Sequence, residues 1–234
     1  MSATTRPQSL FELDHITILT RVDAPEAALL ENLGFVRFGG VTQHEGMGTA
    51  STSFFFENAY LELLWAHDGE LAQEKFSVVH YDLDARARWQ DTLASPFGLM
   101  LRHSSPLTKG VLEGSGAMPP VPTETFSFNN QPVEFSAHNS AEPACGFLPT
   151  ALTYPSFKHT ITNRTHALGM KEITRVTVSI YDEFQLSPLA RWLTVNQIAI
   201  IQPAAYANLE IEFDHGAQGE SLNLRPDLPL VLKY

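Results

Sequence analysis

The sequence has a single cysteine, Cys145, among 234 residues. One thiol cannot form a disulfide within its own chain, so the class of small, disulfide-stapled secreted domains is excluded. Residues 1–9 are polar and lack the apolar stretch of a secretory signal, and no apolar run approaches the ~20 residues that a membrane-spanning helix needs. These absences predict a cytoplasmic protein that stays out of the membrane.

Basic residues are also few. Fifteen Lys and Arg stand against 26 Asp and Glu, which gives a formal net charge of −11. A chain this acidic repels phosphate backbones and anionic lipid surfaces, so we expect no nucleic-acid or membrane partner. Hydrophobic residues make up 44% of the chain, enough for a packed core in one large domain or two small ones.

A strand, a helix and three further strands are predicted over residues 11–67. Residues 11–20 are rich in β-branched and apolar side chains, as strands are. A short helix follows, with Asp23 as its predicted N-cap and Gly34 just past its end. Three strand-like runs then cover 35–42, 50–56 and 59–66, the last two joined by a tight turn at Glu57 and Asn58.

A similar order is predicted twice more. Over 74–157 the predicted strands are 75–81, 98–102, 123–129 and 147–154, with a helix capped by Asp84. Over 170–234 a strand at 172–180 precedes a helix that begins at Ser187 and Pro188, and strand candidates follow at 196–202, 206–213 and 228–233. Short echoes between 13–18 and 173–178, and between 59–64 and 207–212, agree with internal repetition.

The first unit resembles a known family. The resemblance rests on the run Leu13-Asp14-His15-Ile16, the helix end Leu33-Gly34-Phe35, the loop 44–49 and the strand 60–64, which are similar to the glyoxalase-like branch of the vicinal oxygen chelate superfamily. It is good over 11–67, fair over 74–157 and loose beyond 170. It implies an α+β fold in which repeated βαβββ modules form curled, mostly antiparallel sheets around a cup for a small-molecule ligand. Adjacency in sequence favours packing of the first module on the second. The resemblance leaves open whether two chains form a homodimer.

The resemblance also implies a divalent metal in the cup, held by a His on the first strand of a module and a carboxylate on the last. His15 and Glu62 stand at these two positions. Imidazole and carboxylate together suit Zn, Mn, Fe or Ni. The matching pair of a partner module is not evident. Phe76 falls near the His position of the second unit, and in the third unit Arg175 replaces the His although Glu210 matches the carboxylate.

The third metal ligand and the surroundings of the first two are left open by the sequence. The candidates for the third ligand are His44, His80, His103, His138 and Glu210. The plainer alternatives are a His15 that bonds a loop carbonyl and a Glu62 that faces solvent. Tyr60 and Leu64 share the strand face of Glu62, which favours a partly enclosed carboxylate in need of a partner.

Substrate contacts are predicted at His44, Thr49 and Arg102. The loop 44–49 has two glycines and a hydroxyl, so its backbone amides can approach an anionic ligand closely. Arg102 ends a predicted strand, where it can meet a substrate carboxylate. The alternatives are an ordinary strand connection and a surface arginine.

Two main classes of function follow. One is a metal-dependent lyase, isomerase or dioxygenase that acts on a small oxygenated substrate, with Glu62 as general base. The other is a non-catalytic protein that sequesters a small molecule in the same cup. The incomplete second ligand pair favours the binding protein, and the fold by itself does not select a reaction. A degenerate module kept for protein association is a third alternative.

Overall fold

The computed structural model describes residues 9–104, 123–137, 139–181 and 185–234. The first unit has the predicted order of one strand, one helix and three strands. These are β1 (Phe11–Leu19), α1 (Ala27–Asn32), β2 (Phe38–His44), β3 (Thr49–Phe55) and β4 (Tyr60–Ala66). Asp23 does not cap α1 as predicted, because the N-cap position is Glu26, whose side chain instead accepts a hydrogen bond from Arg21 Nε at 2.7 Å.

The middle of the chain differs from the prediction. Its elements are α2 (Gly69–Ser77), α3 (Leu83–Ala87), α4 (Trp89–Thr92), β5 (Phe97–His103), β6 (Glu124–Phe128), β7 (Gln131–Ser136), β8 (Ala144–Phe147) and α5 (Tyr154–Phe157). The strand predicted at 75–81 is wrong, since its first part ends α2. Asp68 caps α2 by accepting a hydrogen bond from the Leu71 amide, and Ala72 and Phe76 bury one helical face. Asp82, rather than the predicted Asp84, caps α3.

The last third of the chain follows the predicted order more closely. It contains β9 (Ile173–Tyr181), α6 (Pro188–Val195), β10 (Ile200–Ala204), β11 (Asn208–Phe213), β12 (Ser221–Asn223) and β13 (Leu230–Lys233). The predicted start of α6 is confirmed, because the Ser187 side chain accepts a hydrogen bond from the Ala190 amide and Pro188 opens the helix.

Within the described part of the chain, eight strands form the first sheet, in the order β2-β3-β4-β1-β5-β8-β7-β6. Within one half β1 runs parallel to β4, and within the other β5 runs parallel to β8. The antiparallel pairing of β1 with β5 joins the halves at the centre. This seam places the first unit against the strands that follow it, as adjacency in sequence predicts. Strand β5, at residues 97–103, therefore holds in the second half the place that β1 holds in the first.

The remaining five strands form a second sheet in the order β10-β9-β11-β13-β12. Seven of the eleven strand pairs in the two sheets are antiparallel. The predicted α+β fold with a curled, mostly antiparallel sheet around a cup is thus confirmed. The unit boundaries 11–67, 74–157 and 170–234 stay a prediction. No helix within the described ranges has the length and apolarity needed to cross a membrane.

The main hydrophobic core involves both sheets. Fully buried Ile16 and Leu61 of the first sheet belong to the same cluster as Val178 and Leu209 of the second. Alternation along the strands then turns the neighbours of Ile16 and Leu61 to the opposite, concave face. His15, Thr17 and Glu62 consequently face the cup rather than the core.

Candidate functional site

A cavity of about 640 Å³ lies in the cup of the first sheet. Strands on both sides of the central seam contribute to it, among them β1 with His15 and Thr17, β4 with Glu62, and β5 with Met100. His44 and Thr49, which flank the turn between β2 and β3, also line it. Four of the residues singled out from the sequence, His15, His44, Thr49 and Glu62, therefore come together in one cavity.

His15 is held from behind by a buried carboxylate. Its Nδ1 lies 2.9 Å from Asp14 Oδ1, and Asp14 has no exposed surface. The register of β1 against β5 shifts between Leu13 and His15, which marks a β-bulge. The bulge lies where the consecutive polar side chains of Asp14 and His15 must both be accommodated. With Nδ1 held by the Asp14 carboxylate, Nε2 is the ring nitrogen of His15 that points into the cup, towards Glu62.

Asp14 also organises its own surroundings. Its Oδ2 accepts hydrogen bonds from Arg102 Nη1 at 3.1 Å and from the Tyr154 amide at 2.8 Å. The Arg102 guanidinium additionally binds Glu12 and the Asn58 carbonyl. Arg102 is only 8% exposed, so it is not the surface arginine of the plainer alternative. It does not line the cup either: it supports Asp14 behind His15 and lines a separate cavity. The predicted substrate contact of Arg102 stays a prediction.

Glu62 lies between two imidazoles. Its Oε2 is 3.9 Å from His15 Nε2, and its Oε1 is 3.8 Å from His44 Nε2. Thr17 Oγ1 donates a hydrogen bond to Oε2 at 3.3 Å. The Glu62 side chain is 12% exposed, which makes it the partly enclosed carboxylate that the strand pattern favours rather than a solvent-facing one.

Two hydroxyls hold the His44 ring in place. Nδ1 lies 2.9 Å from Thr49 Oγ1 and Nε2 lies 3.3 Å from Ser51 Oγ. Burial lowers the pKa of His44, an effect that the nearby Glu62 carboxylate opposes only in part. At neutral pH His44 is accordingly an uncharged imidazole that exchanges hydrogen bonds with its neighbours.

Aromatic side chains are prominent in the rest of the cavity wall. Nine Phe and Tyr side chains line it, including Phe126 and Phe128, which arrive on β6 from the far edge of the sheet. Tyr60 stacks on His15 with ring centroids 4.2 Å apart and an interplanar angle of 18°. Burial raises the pKa of Tyr60 well above its usual value, so the phenol keeps its proton. No Lys or Arg is found among the described residues that line the cavity.

Among the residues that the structure describes, the second half of the sheet offers no equivalent ligands at the positions opposite His15. Met100 of β5 lies opposite His15, and Gly146 of β8 lies opposite Met100. A Cβ added to Gly146 would fall 2.2 Å from Met100 Cε, so the methionine fills the space that a side chain at 146 would need. Across the pairing of β1 with β5, Met100 and Gly146 therefore stand near His15. The family resemblance implies two further metal ligands from this half of the sheet, and neither a thioether nor a glycine supplies the expected imidazole or carboxylate.

A metal centre with four protein ligands does not fit these residues. Among the described residues, no group of three or more His, Cys, Asp or Glu is arranged to hold a metal ion. His15, Glu62 and His44 are the side chains of the cup from which such a site would have to be built. These three side chains do not complete a shell of four ligands, because no fourth ligand is found among the described residues across the pairing of β1 with β5. The contact between Asp14 and His15 is nevertheless of a kind common at metal sites, where a carboxylate often supports a ligating His.

The other candidate ligands lie elsewhere. Glu210 belongs to β11 in the second sheet, where its Oε1 lies 2.8 Å from Lys233 Nζ. The structure does not bring Glu210 to the cup, because the third unit forms a sheet of its own behind the core. His80 is exposed, and His103 packs against Phe11 with ring centroids 4.5 Å apart and an interplanar angle of 32°. His138 lies outside the described residues.

Several residues of the site were missed from the sequence. Asp14 is one of them, although an acidic residue directly before a candidate histidine is a usable signal for a supporting carboxylate. Phe126 and Phe128 reach the cup through the strand order, which brings the hairpin of β6 and β7 to the edge opposite β2. No local pattern at 124–128 indicates that destination.

Comparison with known proteins agrees with this architecture. The family model described as a glyoxalase-like domain matches residues 13–195, which covers both halves of the cup. The chain therefore belongs to the glyoxalase-like domain family of the vicinal oxygen chelate superfamily.

Among solved structures, a hypothetical protein from Staphylococcus aureus is similar, with a TM-score of 0.50 and 12% sequence identity over 96% of this chain and 98% of that one. At this identity the likeness speaks for the fold alone. No curated protein matches the chain.

Proposed function

We propose that this protein binds a small, largely aromatic molecule in its cup, with a polar group of the ligand against Glu62. The observation that carries the proposal is the division of the cavity into a polar cluster and an aromatic wall. His15, His44 and Glu62 form the cluster, and nine of the described lining residues are Phe or Tyr side chains from both halves of the sheet. Ligand sites typically combine such apolar walls with a few convergent polar groups.

The size of the cavity supports a ligand with one or two rings. Small-molecule pockets usually have volumes of roughly 300–1,000 Å³, and this one measures about 640 Å³. Its polar groups are oriented before any ligand arrives, because Asp14 fixes His15 and the hydroxyls of Thr49 and Ser51 fix His44. Pre-arranged contacts reduce the entropy that binding would otherwise cost.

A fluorescent probe tests the proposal. 1-Naphthalenemethanol carries an aromatic frame of suitable size and one hydroxyl, and its binding can be followed by its own emission and by calorimetry. We expect Phe126→Ala to weaken binding, because Phe126 lines the cup. Thr125→Ala is the matched control, since Thr125 is exposed on the same strand. Absence of probe binding, or equal affinities of the two variants, would remove the proposal.

The polar end of the cavity is tested separately. Glu62→Gln and His44→Ala should each weaken ligand binding and leave the protein folded, which circular dichroism checks. His67→Ala is a suitable control for His44→Ala, because His67 is an exposed histidine that does not line the cavity. A control variant that loses as much affinity as His44→Ala would point to a general effect of losing a histidine.

A proton-transfer enzyme is a second candidate function. It is favoured by the state of Glu62, to which Thr17 Oγ1 is the one hydrogen-bond donor found among the described residues. The Oε1 atom thus faces the cavity without a short hydrogen bond and is placed to accept a proton as general base. Small molecules extracted from the purified protein can be incubated with it in D2O. Gain of deuterium with the wild type but not with Glu62→Gln, read by mass spectrometry, would favour the enzyme.

The predicted divalent metal stays a prediction, and neither function above depends on it. Zn, Mn, Fe or Ni bound at His15 and Glu62, with His44 as third ligand, would be detected by elemental analysis of protein purified without chelator or metal-affinity resin. Calorimetric titration with Zn, Mn and Ni gives the affinities. A cytoplasmic location and a homodimer are likewise predictions, which fractionation and sedimentation would test.

A further inference from the structure

We propose that the ligand of the cup is an organic cation, an aromatic molecule that carries an ammonium group placed against Glu62. The inference rests on the proposed binding function and names the charge of the molecule that this function requires. Three features carry it: the charges that line the cavity, the hydrogen-bonding capacity of its polar end, and the aromatic rings around that end.

The lining of the cavity has acidic groups without basic ones. Glu45 and Glu62 are among the described residues that form its wall, whereas Lys and Arg are absent from them. The Arg86 guanidinium lies 5.0 Å from the ring centroid of Tyr81, a residue of the wall, and donates hydrogen bonds to backbone carbonyls. Arg102 is paired with Asp14 and Glu12 behind the strand. Neither guanidinium lines the cavity. An anionic ligand would therefore enter a partly aromatic space whose described lining residues carry two carboxylates and no Lys or Arg. A cation would be a positively charged partner for the Glu62 carboxylate, and a partly buried carboxylate is stabilised by such a partner.

The polar end of the cavity presents one carboxylate that faces two imidazole nitrogens. His15 uses Nδ1 for Asp14, so Nε2 is the ring nitrogen that faces Glu62 Oε2, at 3.9 Å. That separation is too long for a direct hydrogen bond. His44 Nε2 stands 3.8 Å from the other oxygen of the same carboxylate. A group with several N–H donors and a positive charge, such as an ammonium, matches this set better than a hydroxyl with one donor.

Aromatic rings surround the same end of the cup. Tyr60 stacks on His15, Phe55 lies 4.7 Å from Tyr60, and Phe128 lies 5.4 Å from His44 between ring centroids. The face of an aromatic ring attracts a cation electrostatically, most strongly where water is excluded. The combination of one carboxylate with several rings therefore favours a cationic head group over a neutral one of equal size.

Three probes with one aromatic frame test the inference on protein treated with chelator and then freed of it. They are 1-naphthylmethylammonium, 1-naphthalenemethanol and 1-naphthoate, which differ in charge and little in shape. We expect the ammonium to bind about tenfold more tightly than the alcohol, which corresponds to one desolvated cation–π or ion-pair contact. The carboxylate should bind most weakly. Glu62→Gln should reduce the preference for the ammonium to about twofold or less.

Glu210→Gln serves as the matched control, because Glu210 is a strand glutamate of the second sheet that does not line the cup. This variant should keep the full preference for the ammonium. Equal binding of ammonium and alcohol, or tightest binding of 1-naphthoate, would overturn the cation inference while Phe126→Ala still weakened all the probes. If none of the probes bound, or if Phe126→Ala changed no affinity, the proposed binding function itself would fail.

Discussion

Replacement of Asp14 by Asn tests the buried network that positions His15. The carboxylate accepts hydrogen bonds from His15 Nδ1 at 2.9 Å, from the Tyr154 amide at 2.8 Å and from Arg102 Nη1 at 3.1 Å. Asparagine has the same shape, but it places an NH2 group where one acceptor oxygen stood, and it removes the buried counter-charge of Arg102. Breaking a buried ion pair from one side costs about 3–5 kcal/mol.

We expect Asp14→Asn to lower the free energy of unfolding by about 3 kcal/mol, the low end of that range. The low end applies because the Arg102 guanidinium keeps two other acceptors, Glu12 and the Asn58 carbonyl. A loss of this size is a large share of the roughly 5–15 kcal/mol that stabilises a typical domain. Urea unfolding followed by tryptophan fluorescence gives the value, since Trp65 is fully buried.

Glu12→Gln is the control on the same guanidinium. Glu12 Oε1 accepts a hydrogen bond from Arg102 Nε at 2.8 Å, but its side chain is 47% exposed. Exposed ion pairs contribute about 0–1 kcal/mol, so we expect a loss of less than about 1 kcal/mol. Similar losses in the two variants, or a loss below about 1 kcal/mol for Asp14→Asn, would refute the view that burial makes Asp14 the dominant partner.

Three further predictions concern stability. In the metal-free protein Glu62→Gln should leave the urea midpoint unchanged or raise it, because it removes a partly buried charge; a clear fall would contradict this. Burial lowers the pKa of His166, whose Nδ1 accepts a hydrogen bond from the Val36 amide. As the pH falls, His166 of the unfolded chain takes up a proton before His166 of the folded chain does. The free energy of unfolding should therefore be highest above about pH 6.5 and should fall below that pH. Urea curves at high and low pH measure this fall, which should be smaller in His166→Asn. Both Gly46 and Gly48 have positive φ, but only at Gly48 would a Cβ lie 2.4 Å from a backbone atom of α2. In the same assay Gly48→Ala should therefore lower the free energy of unfolding by about 3 kcal/mol and Gly46→Ala by about 1 kcal/mol. Equal losses would show that the contact with α2 does not destabilise the protein.

The first unit was predictable because its signals are local. Alternation along 11–20 indicates a strand, and the same alternation puts His15 and Thr17 on the face opposite Ile16. The family resemblance then placed His15 and Glu62 on neighbouring strands. The register bears out this neighbourhood, since Thr17 pairs directly with Glu62.

The second half was not predictable in the same way. Residues 75–81 contain Val78 and Val79 and look like a strand, but Asp68 had already started a helix whose buried positions, Ala72 and Phe76, are four residues apart. The placement of Arg102 depends on a partner 88 residues away in sequence, Asp14. Such a contact is decided by which strands pair, and strand pairing is a property of the whole sheet rather than of a segment.

The contact between Met100 and Gly146 constrains how this chain can change. The methionine occupies the volume that any side chain at 146 would enter, so the two positions are coupled although neither touches the polar cluster by hydrogen bond. A carboxylate introduced at 146 alone would be forced against Met100, and shortening Met100 alone would leave a void. A larger residue at 146 or a smaller residue at 100 would each destabilise the protein alone, whereas the two substitutions together would compensate for each other. The order in which these substitutions arise therefore limits how this half of the sheet can acquire metal or substrate ligands.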